Sequence, residues 1–451
     1  MNPVDALTTN QQITFWNLCV AIAVCSSCSL VGCFLVLRGL SLLGDAISHA
    51  VLPGLVIGFM VSGTRDLGPM LVGAVIAGLL TTLLTQALSR RGQVEGDAGM
   101  GIVFTTMFAL GVVLLSRFHS QVDLDPGCVL YGQLEASALD LRSIWGWEVP
   151  RQLVPLGLVF AVDVAVVLAL WKELKITAFD PALATSLGIS AAGVHYVSMT
   201  VVACTTVASF EAVGSILVIA MLIVPGATAH LLTDRLGSFV LVALITSWLA
   251  AIGGYLLADT LDTNAAGMIA VAAGGLFAIA VVAAPQHGLA VRWIRRARLG
   301  LRIVSEDLLA HLYRYQERAE RTGEASIPMG ATELRRELRG AWLVRRAALA
   351  TLSLRRLVTR TDGLLQLTPA GLERARQVVR THRLWESFLE QNLDLPLDHL
   401  HEPAHRMEHY LTPGFADQIL ENLDQPERDP HGRRIPGPSR PRSGRGRNAI
   451  E

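Results

Sequence analysis

Asp45 and His49 stand four residues apart in LLGDAISHAVLPG, residues 42–54. On a helix, residues i and i+4 project from one face, a single turn apart. A carboxylate beside an imidazole suits Mn2+, Fe2+ or Zn2+. The same two groups would also form a hydrogen bond that glues one helix to the next, and the pair alone leaves both readings open. More ligand types lie far downstream. Seven of the twelve histidines fall beyond residue 290, and five of those lie between 382 and 409. His382 and Glu386 are again four apart. His401-Glu402-Pro403-Ala404-His405 spells HExxH, in which a zinc peptidase needs both histidines on one continuous helix and the glutamate as general base. Proline is tolerated only in a helix's first turn. A helix starting at Pro403 leaves His401 outside it, which argues against a peptidase, and puts His405, Glu408 and His409 on one face.

The elements that must position these groups follow from composition. The chain has 451 residues, 51% hydrophobic and 17% charged. Residues 1–290 carry 10 Lys/Arg against 17 Asp/Glu, and residues 291–451 carry 28 against 21. The first part reads as a membrane domain and the second as soluble and mildly basic. Nine stretches approach the ~20 apolar residues a spanning helix needs: 12–37, 42–62, 67–87, 99–116, 152–171, 191–209, 213–233, 237–257 and 265–285. Eight is the rival count, because the turn around Glu211 is short. The expected fold is therefore mainly α: a polytopic transmembrane helical bundle of eight or nine spans, followed by a soluble part.

The first segment is too long, and lacks a basic flank, for a cleaved signal peptide. With the soluble tail inside, the inner connections hold Arg38, Arg90, Arg91, Lys172, Lys175 and Arg235, and the outer ones Arg65, Arg117, Arg142 and Arg151. This modest bias agrees with a multi-pass protein of the cytoplasmic membrane whose C-terminal part is cytoplasmic. A charge at the bilayer centre costs about 2.5–3.5 kcal/mol on insertion scales, so Asp45 belongs on a cavity or pathway. Asp163, in the fifth span, would be a proton relay or pack at a helix interface or cavity; Glu211 receives no role. Cys25 and Cys28 form a CxxC, read as small packing residues rather than a metal or redox motif.

In FDPALATSLGIS (179–190), Asp180 can cap a helix, Pro181 suits its first position and Gly188 can end it. That gives a short helix in an inner connection. The sequence contains no GxxxxGK[ST] phosphate loop, so the chain is expected to have no nucleotide site and to take its energy from a separate ATPase or an ion gradient. In the soluble part, 305–314 starts an amphipathic helix, and 329–340 and 341–358 read as two helices. Residues 359–375 carry an Asp-Gly turn suited to a β-hairpin. Helix, helix and hairpin make a winged-helix pattern. Its Arg335, Arg336, Arg339, Arg345, Arg346, Arg355 and Arg356 suit phosphate contacts on DNA, or equally a solvated surface beside anionic lipid headgroups. Residues 437–451 are rich in Pro, Gly, Arg and Ser and read as disordered.

RGLSLLGDAISHAVLPGLVIGFM (38–60), DAGMGIVFTTMFALGVVLLS (97–116), FDPALATSLGIS (179–190) and VGSILVIAMLIVPGATAHLL (213–232) together resemble the permeases of the ABC-type manganese, zinc and iron importers, the ABC-3 family, over about residues 12–285. The resemblance implies that Asp45 and His49 line a metal path and that Phe179, Asp180, Pro181, Ala182, Leu183, Leu187 and Gly188 form the coupling helix on an ATPase subunit. It also implies paired permease chains and an extracytoplasmic metal-binding protein that delivers the ion. LTPAGLERARQVVRTHRLWESFL, LHEPAHRMEH and LDQPERDPHGRRIP resemble the DtxR/MntR-type metal-dependent repressors. That implies metal ligands at His382, Glu386, His401, His405, Glu408 and His409, with Asp307 at a manganese-type position and Ala310 where a second acid is expected. The implied organisation is a permease domain at 1–290, a winged helix at 291–375, metal-binding and dimerisation helices at 376–436, and a tail at 437–451. The expected function is ATP-driven import of Mn2+, Zn2+ or Fe2+ with a metal-sensing tail. The rivals are a proton-coupled secondary carrier and a membrane-tethered, metal-dependent DNA-binding regulator.

Overall fold

What the sequence presents as one span divides at Val51, whose backbone stays right-handed helical and whose N–H still bonds the Ile47 carbonyl at 3.1 Å, while Leu55 N–H bonds its own carbonyl at 3.0 Å. The computed structural model describes residues 9–63, 67–91, 94, 96–117, 132, 134–144, 147–286, 288–322, 329–330, 342–361, 364–393, 423 and 427–437. They fall into two units, Met1–Val291 and Arg292–Glu451. In the first, α1 (Thr9–Leu37) is followed by two short helices, α2 (Ser41–Ala50) and α3 (Leu52–Ser62). The expected 42–62 span is therefore corrected to two half-length pieces. Pro53, in the first turn of α3, has no N–H to continue the α2 ladder. At ~1.5 Å per residue each piece is about half the ~30 Å hydrocarbon thickness.

Then come α4 (Leu67–Arg91), α5 (Gly96–Arg117), a 3-10 turn at Leu134–Leu139 and a hairpin of β1 (Leu141–Ile144) and β2 (Trp147–Pro150). These are followed by α6 (Leu153–Ala169), α7 (Trp171–Phe179), α8 (Pro181–Ser186), α9 (Ala191–Leu232), α10 (Leu236–Leu261) and α11 (Ala265–Ala283). Among the described residues seven helices are long and apolar enough to cross a membrane, or eight if α6 and α7, bent by 72°, count as one. The ninth expected span is the broken α2–α3 pair. The long helix α9 holds two of the seven, Ala191–Phe210 and Ala212–Leu232. It breaks at Gly214, whose φ of 76° only glycine adopts without strain.

The first span, α1, is the most enclosed, with Val20, Ala21, Val24, Cys25 and Cys28 wholly buried among α6, α9 and α10. Cys25 and Cys28 are free thiols, and Cys28 donates to Ser209 Oγ at 3.7 Å. Their packing reading holds. Helices α3 and α4 approach backbone to backbone: a Cβ on Gly54 would strike the Gly73 carbonyl, and one on Gly73 the Gly54 carbonyl. Small residues permit such close approach between helices in lipid. Leu83 on α4, Val113 on α5, Leu241 on α10 and Val271 on α11 point their apolar side chains outward, as lipid-facing helices should.

The second unit contains most of α12 (Leu289–Thr322), β3 (Met329–Gly330), α13 (Trp342–Leu354), β4 (Val358–Thr361), β5 (Leu364–Leu367) and α14 (Pro369–Leu393). The strands form an antiparallel sheet in the order β3-β5-β4. Leu308, Leu309 and Leu312 of α12 pack with Leu352 of α13, with Val358 and Leu365 of the hairpin, and with Ala375 of α14. Thr368 caps α14, accepting from the Gly371 N–H at 3.0 Å. Residues 331–341, the Asp-Gly turn at 362–363 and the tail beyond 437 lie outside the described residues, so the helix–helix–wing unit is seen only in part.

Arg383 organises the polar interior of this unit. Its guanidinium, 2% exposed, forks onto both carboxylate oxygens of Glu317 and reaches Asp429 at 3.5 Å. It also donates to the Arg434 carbonyl. One side chain thus ties α14 to α12 and to residues 427–437. Burial raises the Glu317 pKa, but hydrogen bonding and charge from Arg383, with Arg321 and Arg433 nearby, outweigh it and hold the carboxyl below its usual 4.5. The sign follows from linkage: a depressed carboxylate contributes stability above its ordinary pKa and loses it as pH falls through the folded value. Arg383→Met should cost about 3–5 kcal/mol, because it removes the buried guanidinium that pairs both Glu317 and Asp429. It should also reduce the part of the acid destabilisation below pH 4.5 that comes from Glu317, leaving the share due to Arg321 and Arg433. Thermal unfolding followed by circular dichroism across pH 3–7 (roughly the carboxylate window) checks both.

Candidate functional site

The sequence places Asp45 and His49 one turn apart, and α2 carries both on a single helical segment. α2 packs on α1, α4, α5 and α9, with Ala46, Ile47 and Ala50 buried against them. The side chain of Asp45 lies outside the described residues, as does that of Glu211. His49 is half-buried in the last turn of α2, where the carbonyl end of a helix favours positive charge. Its ring meets Phe108 edge-on at 5.3 Å and Phe104 at 6.4 Å. These α5 aromatics were not singled out as neighbours of the pair. The signal was available in their own i,i+4 spacing within the 97–116 stretch.

Asp163 is 1% exposed, and both its oxygens accept from Thr205 Oγ1 at 3.0 Å. It therefore joins α6 to α9.

α8 forms as its sequence suggests. Asp180 accepts from the Ala182 and Leu183 N–H groups at 3.0 and 2.9 Å, and Pro181 takes the first position. Gly188 follows with a φ of 82°. Only Ala184 of this segment is buried. Leu183 and Leu187 form an apolar stripe at i,i+4 spacing, and Phe179 ends α7 just before the extended Asp180; each of the three is at least half exposed, while Pro181 and Ala182 are also exposed. An uncovered apolar stripe on a short, firmly capped helix is suited to docking another protein.

In the second unit His382 Nε2 and Glu386 Oε1 lie 3.0 Å apart, each side chain 3% exposed. The i,i+4 spacing thus brings together a buried imidazole and carboxylate, both metal-ligand types. A metal would displace the shared proton, so binding there would be pH-dependent. Asp307 sits half-buried on α12. One turn on, Ala310 packs against Val378 and Val379 of α14 in an apolar cluster, so no acid replaces it there. Among the described residues no three His, Cys, Asp or Glu converge as a metal site. His401, His405, Glu408 and His409 lie outside the described residues. On the face read as DNA-binding, Arg346, Arg355 and Arg356 are exposed and Arg345 is half-buried.

Residues 10–284 match the ABC 3 transport family, and residues 368–437 match the iron dependent repressor, metal binding and dimerisation domain. The chain is 40% identical over 359 residues to the zinc transport system membrane protein TroD of Treponema pallidum (strain Nichols), covering 79% of this chain and 96% of TroD. It is 41% identical over 281 residues to the manganese transport system membrane protein MntD of Bacillus subtilis (strain 168), covering 62% of this chain and 95% of MntD. Among solved structures it is similar to PsaBC from Streptococcus pneumoniae in complex with Fab, with 30% identity and a TM-score of 0.53 over 62% of this chain and 93% of that one. The match takes in the broken α2–α3 pair, the bent α6–α7 pair and the capped α8, and the chain belongs to the ABC 3 transport family.

Proposed function

We propose that the chain is the membrane subunit of an ATP-driven importer of divalent transition metals, with Mn2+ favoured and Zn2+ or Fe2+ as alternatives. The observation that carries this reading is α2: a helix packed inside the bundle of this family on α1, α4, α5 and α9, with Asp45 and a half-buried His49 one turn apart and Pro53 notching the ladder just beyond. A carboxylate and an imidazole one turn apart supply two donor types suited to replacing part of an ion's hydration shell. Support for the cargo comes from the donor types and from the zinc and manganese named in the relatives above.

The mechanism follows from the elements. An extracytoplasmic binding protein delivers the ion to a pathway between two copies of the chain. Asp45 and His49 take the partly dehydrated ion and release it inward. Energy comes from a partner ATPase, since the sequence lacks a phosphate loop. The ATPase docks on the exposed Phe179, Leu183 and Leu187, the last two on the segment that Asp180 and Pro181 start in helical form and Gly188 ends. The tail faces the cytoplasm. It senses metal through His382 and Glu386, with Asp307, His401, His405, Glu408 and His409 as further ligands, and slows transport when occupied, a coupling between distinct sites. A membrane-tethered DNA binder is the second reading of the tail. The hairpin β4–β5 and the exposed Arg346, Arg355 and Arg356 favour it; tethering, which restricts access to operators, disfavours it.

In proteoliposomes holding the chain with its ATPase partner, radiolabelled Mn2+ uptake should require ATP and persist when a protonophore is added. Uptake that needs no ATPase and collapses with the proton gradient would transfer the assignment to a secondary carrier. For the tail, His405→Ala/Glu408→Ala/His409→Ala should leave initial uptake unchanged but remove its slowing at high internal Mn2+. Normal shut-off in that variant would end the sensor reading, and Mn2+-dependent DNA binding by the purified chain would then favour the tethered regulator.

A further inference from the structure

We propose that Arg38 is the positioning residue that transmits movement of the α7–α8–α9 elbow to the metal-path helix α2. The proposal deepens the importer reading and rests on it for the roles of α8 and α2.

Arg38 follows α1, and only Gly39 and Leu40 separate it from α2. Its guanidinium donates from Nη2 to Thr177 Oγ1 at 2.7 Å and from Nη1 to Ser198 Oγ at 3.3 Å. Thr177 lies on α7, two residues before Phe179, and Ser198 lies in the first turns of α9, after α8. One side chain therefore grips both flanks of the docking element and is covalently next to the helix carrying Asp45 and His49. Both acceptors are pre-set. Thr177 donates its own hydroxyl proton to the Glu173 carbonyl, and Ser198 donates its proton to the Val194 carbonyl, each at 2.7 Å. Their lone pairs are left for the guanidinium.

The connection is stiff at both ends. Gly39 and Leu40 donate their N–H groups back to the Val36 and Leu35 carbonyls at 3.1 and 2.9 Å, so the turn into α2 has little slack. Asp163 clasps Thr205, so α6 and α9 move together with the elbow between them. Around Arg38 the contact of α1 with the elbow is apolar, as where Phe34 meets Trp171 edge-on at 6.4 Å. Apolar surfaces slide with little directional preference, whereas hydrogen bonds from a charged fork fix register. A cavity of about 20 Å3 bounded by Arg38, Leu174, Ser198 and Val202 lies beside the guanidinium. Arg38 Nε is buried with no partner among the described residues. There is room, and an unused donor, for a second arrangement of the same link.

The test uses the full chain reconstituted with its ATPase partner, reading Mn2+ moved per ATP hydrolysed. Thr177→Val/Ser198→Ala should lower that ratio about tenfold while hydrolysis and co-purification stay within twofold. Ser198→Ala alone, which removes one hydroxyl and little volume, should lower it about threefold. Arg38→Gln should behave like the double variant, and Arg38→Lys, which keeps the charge, should recover part of the ratio. An unchanged ratio in the double variant overturns the proposal. A second readout separates this result from failure of the importer reading. In His49→Cys, a non-hydrolysable ATP analogue should change the rate of thiol labelling at position 49, and the double variant should abolish that change. Should the wild type move no Mn2+, the cargo assignment fails, and this labelling alone decides: an analogue-dependent change that survives in the double variant overturns the role of Arg38.

Discussion

A polar group in hydrocarbon must find its partner inside the protein, and the membrane unit is organised by that requirement. Thr81, Thr82 and Thr228 satisfy their hydroxyls on carbonyls four residues back. Trp248 on α10 donates its indole N–H to Ser26 on α1 at 2.8 Å. Asn17 on α1 bonds Tyr255 on α10 and the Glu135 carbonyl, while Glu135 in turn accepts from the Ala265 N–H at the start of α11. Each such bond both removes a desolvation cost and fixes which helices are neighbours. Against that background a half-buried imidazole beside an interrupted backbone is the exception that invites a function. At the α2–α3 junction Val51 and Leu55 keep their backbone hydrogen bonds, and the bond that is lost is the one Pro53 has no N–H to give.

The long apolar spans were legible from composition alone, because ~20 consecutive apolar residues have few alternatives to crossing a bilayer. The cap at Asp180 and the hairpin β4–β5 were legible from local turn chemistry. The break within 42–62 was not read, although Pro53 and Gly54 mark it, because hydropathy averages over a window and is blind to one missing N–H. The 72° bend between α6 and α7 has no proline or glycine at its corner, Leu170, and is set by tertiary packing. Arg38 read only as a charge that helps to set orientation. Its two hydroxyl partners are 139 and 160 residues away, a distance over which one sequence carries no signal. In the tail, the i,i+4 spacing of His382 and Glu386 predicted their shared face, and the fold places both in the interior of α14. Arg383, their neighbour, was passed over because arginines are usually surface residues.

The two units solve one problem, holding charge away from water, in different ways. The membrane unit spreads the cost over hydroxyls and helix ends and leaves Asp163 with a single hydroxyl partner. The tail concentrates it on Arg383, whose planar fork can satisfy a carboxylate at two points at once. The tail arrangement couples α12, α14 and residues 427–437 rigidly, so occupation of a ligand pair on α14 would be felt by all three.

We propose that α2 carries the ion. The measurement that reaches it most directly is ATP-dependent Mn2+ uptake by Asp45→Ala/His49→Ala, compared with wild type at equal membrane abundance and with the ATPase partner present. The expected result is loss of uptake by at least tenfold, about 1.4 kcal/mol or more in the rate-limiting barrier. Uptake equal to wild type would reduce the pair to a bond between helices and place the pathway elsewhere in the bundle.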